Sequence, residues 1–182
     1  YGLRLPKWAQ KFNKKDLCEA YLSQKWDLLL NSKMYDESLV DNSVYEAAFT
    51  GEKYPKFPHD LPSLVEVNGK GLIKSTPFGN SLTMDMAIAA IEGERLGQDE
   101  FTDVLAVSFS STDYVGHQFG ADSRETQDTY LRLDRDLEAF LSYLDGGIGK
   151  ENVLVFLTAD HGAVRTPAYL IDRNVPAGYF DA

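Results

Sequence analysis

The sequence lacks most of the features that would place it quickly. It has one cysteine, Cys18, in 182 residues, which excludes an internal disulfide framework and leaves the redox compartment open. It has three histidines, so imidazole chemistry is confined to His59, His117 and His161. No run approaches the roughly 20 consecutive apolar residues a membrane-spanning helix requires, because the longest, such as Val153 to Leu157, are strand-sized. Positive charge is scarce: 18 Lys and Arg face 28 Asp and Glu, a net charge of -10. A field of that sign opposes the phosphate neutralisation on which nucleic-acid affinity rests, so a nucleic-acid polymer is not an expected partner. No initiator Met and no basic, apolar leader precede the chain, which reads as a fragment whose targeting segment lies elsewhere.

Enough remains to build a fold. At 43% apolar and 25% charged residues, without low-complexity tracts, the chain can bury a substantial core and is expected to form one domain. Cys18 lies in an amphipathic segment and reads as a buried, small apolar group rather than a nucleophile. Leu17, Tyr21, Leu22, Trp26, Leu29 and Leu30 recur at helical spacing, predicting a helix from about Lys14 to Asn31. From Tyr35 to Gly71 the chain is rich in aromatics and Pro. It predicts an irregular excursion with a short hairpin near Val65 to Ile73, so residues 1–75 read as a peripheral helix plus excursion.

Residues 76–182 read as alternating helix and strand. Asn80 or Ser81 can cap a helix running to about Leu96, stopped by Gly97. Val104 to Phe109 is a short, nearly all-apolar run suited to a strand covered on both faces. Asp122 and Glu125 resemble a capping box for a helix through Tyr130, Leu137, Phe140 and Leu144. Asn152 to Thr158 supplies a second apolar strand. The order helix, strand, helix, strand predicts an α/β parallel-sheet sandwich with helices on both faces, its strands joined by a right-handed crossover.

In such sheets the site forms beyond the carboxyl ends of the strands. The first strand runs into Ser110-Ser111-Thr112-Asp113-Tyr114-Val115-Gly116-His117 and the second into Thr158-Ala159-Asp160-His161-Gly162. An Asp and a His four residues apart on a tight or helical turn share one side of the backbone. Adjacent Asp and His need a turn to point together, which Gly162 can make with left-handed dihedrals. Carboxylate and imidazole suit zinc, and also manganese or iron. Either pair alone is equally consistent with a solvated ion pair or a helix cap. Both at matching strand ends favour a shared metal centre, with Asp113, His117, Asp160 and His161 as ligands. His59, in the irregular region, reads as a surface histidine.

The segments SSTDYVGHQFG (110–120) and TADHG (158–162) closely resemble the alkaline phosphatase and nucleotide pyrophosphatase/phosphodiesterase superfamily, and within it the PafA-type bacterial alkaline phosphatases. TPFGNSLTMDMAIAAIEGERLG (76–97) and the helix over residues 123–145 are similar to that group too. The resemblance implies two zinc ions side by side, one bound by Asp113 and His117, the other by Asp160 and His161. It implies a Thr or Ser nucleophile that accepts the phosphoryl group of a small phosphate ester, and a periplasmic or secreted location. That nucleophile, an upstream Asp ligand and a downstream His match no residue here. Thr76 lies after the place where the resemblance puts the nucleophile, Thr112 and Thr158 read as turn or supporting hydroxyls, and Arg165 as no phosphate clamp. The resemblance therefore implies a phosphomonoesterase, with a phosphodiesterase or nucleotide pyrophosphatase as the near alternative. Phosphonate hydrolases and cofactor-independent phosphoglycerate mutases share the ligands, while a sulfatase would need its cysteine in a C-x-P-x-R setting that Cys18 lacks. A reading of another class is a non-catalytic α/β domain that binds a protein or glycan through its aromatic region.

Overall fold

Asp16 decides how the chain starts. In the computed structural model, which describes residues 4–179, Asp16 takes left-handed dihedrals (φ 44°, ψ 48°), and of the expected Lys14–Asn31 helix only α2 (Leu17–Leu22) forms. Helix α1 (Lys7–Asn13) is separate and lies before the expected one, ahead of Asp16. A break there frees α1 to lie across α4 (Phe78–Glu94), where the Trp8 ring fills the space left by Gly93. A Cβ on Gly93 would sit 2.2 Å from that ring, so the helix tolerates a poor helix former to admit the indole. Cys18 is half-buried beside the core, and burial raises its thiol pKa, which matches an inert packing role.

The stretch from Ser23 to Asp60 is irregular apart from one 3-10 turn, Ser32–Met34. The expected hairpin near residues 65–73 is instead α3 (Leu61–Asn68) and a 3-10 segment, Lys70–Ser75. Pro62 opens α3 in its first turn, where its missing N–H costs nothing. The irregular stretch and its flanks nonetheless supply most of the main core, with Leu22, Trp26, Phe49, Leu61, Leu64 and Leu72 packing against Phe78, Val115 and Phe119. The last two belong to α5 (Ser111–Phe119).

His59 is not a surface residue. It is fully buried, and its backbone exchanges hydrogen bonds with Trp26 (3.0 and 3.1 Å). Its ring lies among Trp26, Phe49, Phe57 and Phe119. Nδ1 faces Glu52 Oε1 at 2.9 Å and Nε2 faces Glu125 Oε1 at 3.2 Å. Two carboxylates accept only from an imidazolium, which donates at both nitrogens. Glu125 sits in the first turn of α6 (Arg124–Leu144), capped by Ser123 rather than Asp122: the Ser123 hydroxyl accepts from Thr126 N at 3.1 Å. One turn on, the buried Asp128 carboxylate accepts from Trp26 Nε1 (2.7 Å), Leu29 N (2.8 Å), Arg132 Nε (2.6 Å) and the Tyr35 hydroxyl. Two acids near a helix N-terminus gain from the dipole there, and these two tie the irregular segment to α6.

The expected parallel-sheet sandwich is corrected by the structure. The described residues are helical and form no sheet; their one β-bridge joins Trp26 to His59. The runs 104–109 and 153–158 carry no ladder hydrogen bonds. Val104, Leu154, Phe156 and Leu157 are 89%, 79%, 83% and 82% exposed. An apolar run records that its side chains call for cover, not that the neighbouring strand belongs to the same stretch of sequence. No helix among the described residues is long and apolar enough to cross a membrane. A short α7 (Pro167–Ile171) closes the order.

The buried imidazolium sets a pH dependence. Burial pulls the His59 pKa down, but hydrogen bonds to Glu125 and Glu52 outweigh it and raise it from 6.5 to about 9. A folded-state pKa above the unfolded one means stability fully present below pH 6.5 and lost as pH climbs through about 9. The loss is on the order of 3 kcal/mol. Glu46, raised to about 8 by burial and by Glu125, contributes a decline that ends earlier. Urea unfolding of His59→Gln is therefore expected to lose the slope between roughly pH 8 and 9 that the parent shows; an unchanged slope would show that His59 is not the titrating group.

Candidate metal centre

Helix α5 carries two of the four expected ligands. Val115 and Phe119 are its core face, and Gln118 Nε2 donates to the Ala47 and Ala48 carbonyls (2.7 and 3.1 Å). With those positions held, Asp113 and His117 fall one turn apart on the outward face, His117 Nε2 3.4 Å from Asp113 Oδ2. The expected turn is thus a helical one, and the i, i+4 geometry does what the spacing implies.

The second pair sits on a loop. Gly162 is not among the left-handed glycines, so the turn is closed otherwise: His161 N donates to Asp160 Oδ1 (3.1 Å) and His161 Nδ1 faces the Gly162 carbonyl (3.0 Å). Bonding to a carbonyl makes Nδ1 the donor and leaves Nε2 as the free acceptor. That nitrogen lies 3.8 Å from Asp113 Oδ1 and 3.7 Å from Asp160 Oδ2. The Asp113 carboxylate therefore stands between two imidazoles from elements 44 positions apart, and all four expected residues join one chain of contacts under 4 Å. They face solvent, with side chains 46% (Asp113) to 91% (Asp160) exposed. His161 has a raised pKa, first from the Gly162 carbonyl and then from the Asp160 and Asp113 charges. A metal at Nε2 would compete with the protonation that the raised pKa favours.

The donor types fit a borderline divalent ion, but the set is incomplete. Among the described residues no group of three or more His, Cys, Asp and Glu side chains is placed to hold one. The nearby hydroxyls are engaged locally or with α4. Thr112 Oγ1 accepts from Asn80 Nδ2 (3.1 Å), Thr158 Oγ1 faces the Ala159 carbonyl, and buried Thr76 donates to the Ile73 carbonyl. Arg165 is engaged with Asp122 (2.6 Å) and the Tyr169 ring.

The type I phosphodiesterase/nucleotide pyrophosphatase family matches residues 7–178. The chain belongs to that family. Within the family's alkaline phosphatase superfamily it is PafA-like: it is 48% identical over 181 residues to alkaline phosphatase PafA of Elizabethkingia meningoseptica, covering 99% of this chain and 33% of that protein. It is 49% identical over 178 residues to alkaline phosphatase PhoV of Synechococcus elongatus, covering 98% of the chain and 32% of that protein. A protein of Myroides odoratus named as a calcium-transporting ATPase is 52% identical over 183 residues, covering 100% of this chain and 33% of that protein. The crystal structure of wild-type PafA superposes with a TM-score of 0.94 over 99% of this chain and 35% of that one. The chain thus spans about a third of the length of the curated relatives it matches.

Sequence reasoning names these four candidates and misses what holds them in place. Asn80 reads as a helix cap in the sequence, but α4 starts at Phe78 and Asn80 lies inside it; its bond to Thr112, 32 positions away, has no local signature. In the metal-free protein, Asp113→Asn is expected to lower the His161 pKa slightly, since one of its raising charges is removed while the Gly162 bond remains. An NMR pH titration of the His161 ring checks it, and no downward shift would place the Asp113 carboxylate away from Nε2.

Proposed function

We propose that the chain forms part of a metal-dependent phosphate monoester hydrolase with a two-zinc centre and a phospho-Thr or phospho-Ser intermediate, whose nucleophile no residue here matches. The observation that carries this reading is the Asp113 carboxylate flanked by His117 and His161 in a chain about half identical to two alkaline phosphatases. Asp113 and His117 would hold one ion from a single face of α5, and Asp160 and His161 the other from the loop. Such ions, when bound, supply Lewis-acid charge for an in-line displacement at phosphorus and offset the repulsion between an anionic ester and an acidic chain. The chain's own part is orientation. Helix α5 presents its two donors with fixed spacing, and the Gly162 carbonyl keeps the His161 Nε2 lone pair outward. Two donors per ion leave each under-coordinated, so the isolated chain is expected to bind metal weakly and to turn over little.

A second reading, a phosphodiesterase or nucleotide pyrophosphatase, is favoured by the description of the matching family. We extend both readings to a periplasmic or secreted location on the resemblance alone. In the full-length protein, hydrolysis of p-nitrophenyl phosphate should exceed that of its bis-ester and disappear on chelation. His117→Ala and Asp160→Ala should each lower turnover by about 100-fold or more. Preference for the bis-ester would install the second reading, and full activity without metal would end both.

A further inference from the structure

Helix α5 is held along its Ser111, Val115 and Phe119 face, while Asp113 and His117 are exposed. Its first turn meets the start of α4 at closest range. Gly79 is buried against Ser111, and a Cβ there would lie 2.1 Å from Ser111 Oγ and 2.8 Å from the Ile73 carbonyl. The next residue, Asn80, is 1% exposed, and its Nδ2 donates to Thr112 Oγ1 at 3.1 Å. Asn80 Oδ1 is buried and accepts no hydrogen bond among the described residues. A half-satisfied buried amide costs stability that an apolar residue of its shape would not. Its one bond joins the residue directly before Asp113.

We propose that Gly79 and Asn80 are positioning residues for Asp113: the bare backbone at 79 seats Ser111, the amide at 80 locks Thr112, and together they fix the rotation of α5 about its own axis. The inference rests on the reading of Asp113 as a metal ligand. Side chains reach about 6 Å from a helix axis, so a turn of about 10° displaces a carboxylate by about 1 Å. Metal–ligand distances tolerate about 0.2 Å. Apolar packing of Val115 and Phe119 sets rotation less sharply than a hydrogen bond with a preferred direction; Gln118 supplies two such bonds at the far end of the helix, and Asn80 supplies the one at the turn that carries Asp113. Lys74, whose ammonium lies 4.8 Å from the Tyr114 ring, braces the same turn from the 3-10 segment.

The test uses the full-length protein, stripped of metal and titrated with zinc against a chromophoric chelator, alongside the thermal midpoint of the metal-free form. Asn80→Ala and Thr112→Val are expected to weaken zinc binding about 10-fold with little change in the metal-free midpoint, while Thr112→Ser, which keeps the acceptor, stays within about 2-fold of the parent. Gly79→Ala should weaken binding as well. Parent-like affinity in both Asn80→Ala and Thr112→Val would overturn the proposal, as would Thr112→Ser failing like Thr112→Val, or losses of affinity that merely follow the midpoint. Where Asn80→Ala does not fold, the Thr112 pair decides alone. Asp113→Ala separates the layers: unchanged zinc affinity there removes the ligand reading, and this proposal with it, whereas lost affinity beside parent-like Asn80 and Thr112 variants removes this proposal only.

Discussion

The structure depends on a charge placed where charge is least welcome. His59 is buried with both ring nitrogens on carboxylates, Glu52 from the irregular segment and Glu125 from the first turn of α6. Removing one partner of such a set leaves an unpaired ion in a low dielectric, which is far more damaging than never having built it. The imidazolium therefore works as a latch with no loose setting. Around it close the rings of Trp26, Phe49, Phe57 and Phe119, and the last of these is the C-terminal residue of α5. The helix that presents Asp113 and His117 is thus anchored, through the Phe119 ring against His59, Trp26 and Phe49, to a salt-bridged center built largely from residues with no regular secondary structure.

That dependence explains where reading the sequence succeeded. The long helix through Tyr130 and Leu144 declares itself by its period, and α4 by its small and apolar face, because local repetition is what a helix is. The four metal-ligand candidates stand out by residue type and spacing, and the structure links them in one chain of contacts under 4 Å; that they bind an ion is the proposed reading. His59 gives no such sign. A histidine after Pro58 in an irregular stretch looks solvent-facing, and only the arrival of Glu125, 66 positions away, makes burial affordable. The break at Asp16 is equally hidden, since a left-handed residue inside an apparently amphipathic run leaves the hydrophobic spacing intact.

The two apolar runs failed for a different reason. Hydrophobicity at 104–109 and 153–158 correctly marks side chains that gain by leaving water, yet nothing in the pattern says what covers them. Among the described residues Val107, Phe109 and Val153 are partly covered while the others stay exposed, and a fold class built on their pairing did not survive. Their position matters for the site all the same. The first run leads into α5 and the second into the Asp160–His161 turn, so each donor pair follows a segment whose apolar side chains are largely exposed.

The donors differ in how they are held. Asp113 and His117 ride on a helix braced by Gly79, Asn80, Gln118 and the core, whereas Asp160 and His161 rest on a loop organised by little more than its own two local hydrogen bonds. A donor pair ordered during folding meets an ion with its entropy already spent; a pair on a slack loop must surrender that freedom at the moment of capture. On the proposed reading, the centre fills in sequence, with the helical half as the first berth and the loop following once an occupant nearby gives it something to close upon.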